Sequence, residues 1–101
     1  MENTVLEKFH QGRQSLGTFS AIGSPLAVES LRYTGLDYVI VDTEHSPAGI
    51  ESAAAQIAAA QGAGLTALAR ANEISRTAVL RLLDVGAQGV VVPVSYTHLT
   101  L

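Results

Sequence analysis

The sequence predicts an α/β domain built on a parallel sheet. Short apolar runs that do not alternate with polar residues are separated by helix-like segments, and a glycine junction precedes the later runs as GLDYVIV, GLTALAR and GAQGVVV. Runs without alternation suit strands buried on both faces. The expected strand ends at Asp42, Arg70 and Pro93 lie 28 and 23 residues apart, which is one strand–helix unit each time. Such alternation indicates parallel strands joined by right-handed crossovers.

The individual elements follow from local start and stop signals. Ser24 and Pro25 form a favourable helix start, an N-cap serine followed by proline at the first helical position, and Ser46 with Pro47 is a second possible cap. Glycines are expected to end the helices. Helices are predicted over Asn3 to Gln11, Ser24 to Thr34, the alanine-rich segment before Gly62, and Ser75 to Val85; strands are predicted over Leu16 to Ile22, Tyr38 to Asp42, Leu65 to Arg70, and Gly89 to Val94.

Apolar residues recur on one face of the alanine-rich helix. Apolar residues that share one helical face are Ile50, Ala53, Ala54, Ile57 and Ala58. We therefore expect this face to pack against the sheet.

The composition excludes several classes of protein. With 48% hydrophobic and 15% charged residues, the 101-residue chain is expected to form one small domain rather than to be disordered. Aromatic residues make up only 5%, so we expect a core of Ala, Val, Leu and Ile. The net charge is −3 and six Lys and Arg residues are scattered along the chain, which argues against a nucleic-acid partner.

The sequence contains no cysteine, and no targeting or membrane signal is predicted in it. The three histidines, His10, His45 and His98, are too far apart for a His-only zinc motif. Residues 52–69 carry no charge, but their apolar content is mostly alanine and is interrupted by glutamine and glycine, so no transmembrane helix is predicted. We expect a cytoplasmic protein without a membrane partner.

Two architectures are compatible with these elements. One is an open, doubly wound sheet, and the other is part of a (β/α)8 TIM barrel, which needs eight such units and typically about 250 residues. The sequence contains neither GxGxxG after the first strand nor GxxxxGK[ST] anywhere, so a dinucleotide fold and a P-loop are not supported.

Polar residues at the predicted strand ends are the candidates for chemistry, because ligands bind there in both architectures. Asp42 and His45 are spaced so that the carboxylate could orient the imidazole as a general base, or they could belong to a helix cap. Arg70 ends an apolar strand, where its guanidinium could bind a carboxylate or enolate, or form an ion pair with Asp42 or Glu44.

The other polar residues give weaker signals. The carboxylate oxygens of Glu44 and Glu73 could be ligands for Mg²⁺ or Mn²⁺, but the simpler interpretation is that both are solvated acids on loops. Ser24 is better explained as a helix cap than as a nucleophile, since no GxSxG surrounds it.

The segment VIVDTEHSP is one of several that resemble segments of a known protein family. Together with LGTF, the arginine-ended strand LTALAR and DVGAQGVVVP, it resembles the HpcH/HpaI aldolase/citrate lyase family over about residues 2 to 94. The resemblance implies half of a TIM barrel from a metal-dependent class II pyruvate aldolase. Such an enzyme cleaves 4-hydroxy-2-oxo acids to pyruvate and an aldehyde through a metal-stabilised enolate, and it is a homo-oligomer when complete.

The resemblance also implies residue roles. Arg70 would stabilise the enolate and bind substrate, and the Asp42–His45 pair would handle proton transfer. Ser24, which follows the first predicted strand, is separately predicted to bind substrate. The family's Glu and Asp metal ligands are expected beyond residue 101, so no ligand for Mg²⁺, Mn²⁺ or Co²⁺ is assigned in this chain. The chain alone is then expected to be inactive.

Residues 1–94 are interpreted as the N-terminal part of the barrel, and residues 95–101 as a tail that does not match the family. Two alternatives remain. A receiver-like phospho-acceptor domain would also carry an aspartate at the end of a hydrophobic strand, as Asp42 ends YVIVD. A citrate-lyase-like enzyme would act on a CoA thioester.

Overall fold

A computed structural model of the chain describes residues 3–21, 23–43 and 49–92. Four helices and four strands alternate within these ranges, and a short 3₁₀ turn follows the second helix. The elements are α1 (Thr4–His10), β1 (Gly17–Ser20), α2 (Pro25–Ser30), the 3₁₀ turn (Leu31–Tyr33), β2 (Tyr38–Asp42), α3 (Ile50–Gly62), β3 (Thr66–Arg70), α4 (Arg76–Asp84) and β4 (Gly89–Val91).

The winding of the sheet decides between the two predicted architectures. The four strands are parallel and lie in the order β1-β2-β3-β4. Each crossover therefore advances by one strand in the same direction, and right-handed crossovers of this kind place successive helices on one face. A doubly wound sheet reverses its direction at a switch point. The chain has the barrel type of winding, and this order does not favour the receiver-like alternative.

The core lies between the sheet and helices α2, α3 and α4. As predicted from the low aromatic content, its buried hydrophobic residues are aliphatic: Val28, Val39, Val41, Ala53, Ile57, Ala60, Leu65, Ala67, Ala69, Ala71, Leu82 and Ala87. Small side chains on the strands let the helices approach the sheet closely.

The opposite face of the sheet carries a row of larger apolar side chains. Phe19, Ile40 and Leu68 are register partners on β1, β2 and β3. Phe19 is 51% exposed, and Ile40 and Leu68 are partly exposed. Among the described residues, no helix packs over this row. In a closed barrel, side chains in these positions fill the interior.

Helix α1 closes the amino end of the sheet. Thr4 donates from its backbone N–H to Thr66 Oγ1 and from its hydroxyl to the carbonyl of Asp37, both at 2.8 Å. The Asp37 carboxylate pairs with Lys8 Nζ at 2.8 Å and accepts the backbone N–H of Leu16 at 2.9 Å. The Lys8 hydrogen bond, followed by the Leu16 N–H, lowers the pKa of Asp37 below its usual value. These contacts place α1 at the end of the sheet opposite to Asp42 and Arg70.

Most predicted element ends are confirmed by local geometry. The side chains of Asn3, Ser24 and Ser75 cap α1, α2 and α4 by accepting backbone N–H groups at 3.0 to 3.2 Å. Gly64 follows α3 with a φ of 83°, a conformation that favours glycine. The residues Ser46 and Pro47 lie outside the described ranges, and Gly49 is the N-cap of α3.

Two strands end earlier than predicted within the described residues, and the last residues predicted for them, Ile22, Pro93 and Val94, lie outside the described ranges. β1 ends at Ser20 and β4 at Val91, although the apolar sequence continues in both cases. The register explains the end of β4, because its last residue, Val91, is opposite Arg70, the last residue of β3. β1 ends one residue earlier than its neighbour, since Ser20 is opposite Val41 and β2 continues to Asp42.

The buried face of α3 is rotated from the predicted one. Ala53 and Ile57 are buried as expected, but Ala58 is exposed and Gln56 is 1% exposed. Alanine on every side of this helix gives little contrast between faces, and a buried glutamine is compatible with the core only because its amide is hydrogen bonded. Within the described ranges, no helix has the length and hydropathy needed to cross a membrane.

Candidate active site

Arg70 and Asp42 form an ion pair at the carboxyl end of the sheet. They are register partners on β3 and β2. Arg70 Nη2 lies 2.6 Å from Asp42 Oδ2, and Arg70 Nε lies 3.3 Å from Asp42 Oδ1. Asp42 is 3% exposed, while the Arg70 side chain retains 23% of its surface. The two contacts fix both the position and the plane of the guanidinium.

The Arg70 side chain also contacts the aromatic ring of Phe19. The guanidinium carbon Cζ lies over that ring, 4.7 Å from its centroid. Since Phe19 is on β1 and Arg70 is on β3, the arginine reaches sideways across the end of β2. This distance is within the range of a cation–π interaction. The guanidinium therefore has a carboxylate at one edge and a ring beneath it.

Backbone hydrogen bonds continue past the strand ends and hold the site. The N–H of Thr43 donates to the carbonyl of Arg70 at 3.2 Å, and the hydroxyl of Thr43 donates to the same oxygen. On the other side of β3, the N–H of Ala71 donates to the carbonyl of Val91 at 2.9 Å. The backbone that carries Arg70 is thus fixed from both neighbouring strands.

A buried chain of polar side chains lies between α3 and the end of β1. Ser20 Oγ donates to Gln56 Oε1 at 3.0 Å, and Gln56 Nε2 donates to Ser52 Oγ at 3.3 Å. Ser52 Oγ in turn donates to the carbonyl of Gly23 at 3.4 Å. These bonds tie α3 to the loop that leaves β1. Sequence reasoning missed Gln56, and no local signal marks it, because its partner Ser20 is 36 residues away.

The remaining predicted site residues have different outcomes. Ser24 is the N-cap of α2, as predicted, with its Oγ accepting the N–H of Ala27; its substrate role stays a prediction. Glu73 accepts a hydrogen bond from Ser75 Oγ at 3.2 Å. His45 and Glu44 lie outside the described ranges, so the Asp42–His45 pair also stays a prediction. Arg70 forms the ion pair with Asp42 that the sequence offered as one of two interpretations, and its role toward an enolate or a substrate stays a prediction.

The described residues do not assemble a metal centre. Within residues 3–21, 23–43 and 49–92, no three His, Cys, Asp or Glu side chains are grouped closely enough to hold a metal ion. Asp42 is engaged by Arg70, and Glu73 has a hydroxyl donor. The chemistry of this part of the chain is that of an arginine oriented by a carboxylate.

A cavity of about 320 Å³ opens beside the site, between the start of α3 and α4. Its lining includes Thr43, Asn72, Glu73 and Arg81. Neither Arg70 nor Asp42 contributes to it, so it lies on the helix side of the sheet rather than over the ion pair.

Comparison with solved structures identifies the fold. Citrate synthase SbnG matches with a TM-score of 0.87 and 30% identity, over 93% of this chain and 38% of that one. An HpcH/HpaI aldolase from Desulfitobacterium hafniense DCB-2 matches with a TM-score of 0.78 and 32% identity, over 88% of this chain and 35% of that one. Fold and strand-end site together define half of a (β/α)8 barrel with a polar carboxyl end.

Sequence comparison then gives the family. The HpcH/HpaI aldolase/citrate lyase family model matches residues 15–98. A 5-keto-4-deoxy-D-glucarate aldolase of Citrobacter koseri is 30% identical over 81 residues, which cover 80% of this chain and 32% of that relative. The chain belongs to the HpcH/HpaI aldolase/citrate lyase family, which confirms the resemblance seen in the sequence. It spans about a third of the length of the curated relatives it matches.

Proposed function

We propose that the whole protein to which this segment belongs is a carbon–carbon lyase that reversibly cleaves 4-hydroxy-2-oxo acids to pyruvate and an aldehyde. The observation that carries this proposal is the Arg70 guanidinium, held by Asp42 at the carboxyl end of a barrel-type sheet. Membership of a family of aldolases and citrate lyases supports the reaction class. The carboxyl end is where barrel enzymes carry out their chemistry.

The reaction requires stabilisation of an oxygen anion. When the bond between C3 and C4 breaks, the C4 hydroxyl loses its proton and becomes the aldehyde oxygen. The bonding electrons move toward the C2 oxygen, giving the enolate of pyruvate, which then takes up a proton at C3. A fixed guanidinium stabilises this developing charge more than a mobile one, because no reorganisation is needed as the charge forms. In the proposal, Arg70 has this role.

Asp42 has two roles in the proposal. It orients Arg70 by accepting from Nε and Nη2. It also supports His45, which exchanges the proton of the C4 hydroxyl. Each carboxylate oxygen has two lone pairs, so the bonds from Arg70 do not exhaust the accepting capacity of Asp42.

The proposal places other components of the enzyme outside this segment. A divalent cation such as Mg²⁺, Mn²⁺ or Co²⁺ would be held by carboxylates beyond residue 101, and it would help to neutralise the substrate's negative charge. The complete protein would be a homo-oligomer. Ser24 would contribute to substrate binding from the start of α2.

Pyruvate release tests the proposal. The whole protein would be incubated with 4-hydroxy-2-oxopentanoate and a divalent cation, and pyruvate would be measured with lactate dehydrogenase. We expect turnover by the wild-type protein and a loss of at least about 100-fold in Arg70→Ala. Arg13→Ala, which removes an exposed arginine at the amino end of the sheet, is the matched control and should retain activity.

Two results would overturn the proposal. One is the absence of pyruvate release from 4-hydroxy-2-oxo acids of several chain lengths. The other is turnover of a CoA thioester in place of the free acid, which would favour the citrate-lyase-like alternative.

A further inference from the structure

The ring of Phe19 belongs to the row of apolar side chains that no described helix covers. Phe19 is on β1, at the edge of the described sheet, and 51% of its surface is exposed. Its ring is nevertheless occupied on one side, because Arg70 Cζ lies over it at 4.7 Å. The contact joins residues on non-adjacent strands.

Asp42 and Phe19 restrain the same guanidinium in different directions. The carboxylate accepts from Nε and Nη2, which form one edge of the guanidinium, and so acts within its plane. The ring lies to one side of Cζ and accepts no conventional hydrogen bond. The two interactions therefore do not compete for donors, and both are satisfied at once. Together they limit rotation of the arginine's terminal bonds more than the ion pair alone.

We propose that Phe19 is a positioning residue for Arg70. Its ring supports the guanidinium across the end of β2 and excludes water from one side, so that the charge is held ready for a substrate oxygen. Exclusion of water also strengthens the electrostatic interactions of that charge. This role rests on the proposed function, in which Arg70 stabilises an enolate oxygen.

The first arm of the test measures the contact without using activity. Phenylglyoxal modifies exposed guanidinium groups, and mass spectrometry of peptides from the whole protein gives the rate at Arg70. We expect Phe19→Leu to raise this rate about five-fold, the factor that corresponds to a cation–π interaction at a partly exposed site. Phe9→Leu is the matched control: Phe9 is 75% exposed on α1, at the amino end of the sheet, and its removal should leave the rate unchanged.

The second arm asks whether Phe19 acts through Arg70. We expect Phe19→Leu to lower kcat for pyruvate release about five-fold, with a smaller change in KM. Phe19→Tyr should retain the wild-type kcat, because it keeps the ring. In an Arg70→Gln background, Phe19→Leu should cause no further loss, since the group it positions is absent. A ring that only stabilises the fold would lower activity equally in both backgrounds.

The two arms separate failure of this inference from failure of the proposed function. An unchanged modification rate in Phe19→Leu, or an equal loss in both backgrounds, overturns the positioning role. A wild-type protein without lyase activity, but with the expected change in modification rate, overturns the proposed function and shows that the contact serves another purpose.

Discussion

Arg70 and Asp42 are opposite each other on neighbouring parallel strands, and their side chains complete a two-point ion pair across the carboxyl end of the sheet. The carboxylate is almost fully buried, whereas the guanidinium keeps contact with solvent. A buried carboxylate of this kind requires its partner, and the partner is oriented by it. The pair therefore contributes both to the stability of the fold and to the chemistry proposed at the carboxyl end of the sheet.

Removing the charge of Asp42 should affect both properties. Asp42→Asn keeps the shape of the side chain but replaces the carboxylate that Arg70 contacts with a neutral amide. We expect pyruvate release to fall at least ten-fold and the whole protein to lose about 1 to 3 kcal/mol of stability. Kinetics and thermal unfolding measure the two effects. Glu7→Gln, on the exposed surface of α1, is the control, and equal effects of both variants would contradict the assignment.

The Lys8–Asp37 pair should make stability depend on pH. Because the pKa of Asp37 is lowered in the folded protein, its contribution is fully present above the usual aspartate pKa and is lost as the pH falls through the lowered value. We expect Asp37→Asn to reduce stability by about 1 kcal/mol near neutral pH and the difference from wild type to shrink below about pH 4. Thermal unfolding of the whole protein across this range measures it.

An exposed ion pair provides the comparison for Asp37. Arg32 Nη2 and Glu29 Oε1 lie 3.6 Å apart on the surface, where the side chains of Arg32 and Glu29 are 38% and 52% exposed. Glu29→Gln should change stability by less than about 0.5 kcal/mol at any pH. A pH-independent effect of Asp37→Asn would show that the pair acts only through shape.

Two glycines of the sheet should differ in their tolerance of alanine. A Cβ at Gly17 would lie 2.3 Å from the ring of Tyr38, whereas a Cβ at Gly89 would meet only the terminal Cδ2 of Leu68, at 2.7 Å. The ring cannot move without disturbing β2, but a leucine methyl can rotate away. We expect Gly17→Ala to cost about 1 to 3 kcal/mol and Gly89→Ala clearly less. Equal shifts in the melting temperature would contradict this ordering.

The 101-residue chain expressed alone should associate or remain partly molten. The row of Phe19, Ile40 and Leu68 lies on a face that no described helix covers, and β1 and β4 are edges of the described sheet. Open edges and an unfilled barrel interior favour self-association. Sedimentation and thermal melting test this expectation. A monodisperse monomer that unfolds cooperatively would contradict it.

The fold was predictable where local signals are strong. The β-branched run over Tyr38 to Asp42 became β2 with the predicted bounds, and the serines at the starts of α2 and α4 cap those helices as expected. Predictions failed where the decision is tertiary. β4 stops at Val91, opposite the last residue of β3, and Gln56 turns inward because a distant serine satisfies its amide.

The candidate site was predictable in part for the same reason. A charged residue at the end of an apolar strand indicates a paired arginine, and Arg70 is paired with one of the two partners that the sequence suggested. Its contact with Phe19 could not be foreseen, because it depends on how far the side chain reaches across β2. Strand spacing predicts which residues share an edge but not the direction of a long side chain.

Exchange of the methyl protons of pyruvate in deuterated water isolates the step assigned to Arg70, because it requires the enolate but no aldehyde. With a divalent cation present, we expect the wild-type whole protein to catalyse this exchange. Arg70→Lys should slow it about 100-fold, because an ammonium lacks the fork that Asp42 orients, and Arg13→Lys should have no effect. Exchange by Arg70→Lys at the wild-type rate would show that Arg70 does not stabilise the enolate, and no exchange by the wild-type protein would show that the site does not form one.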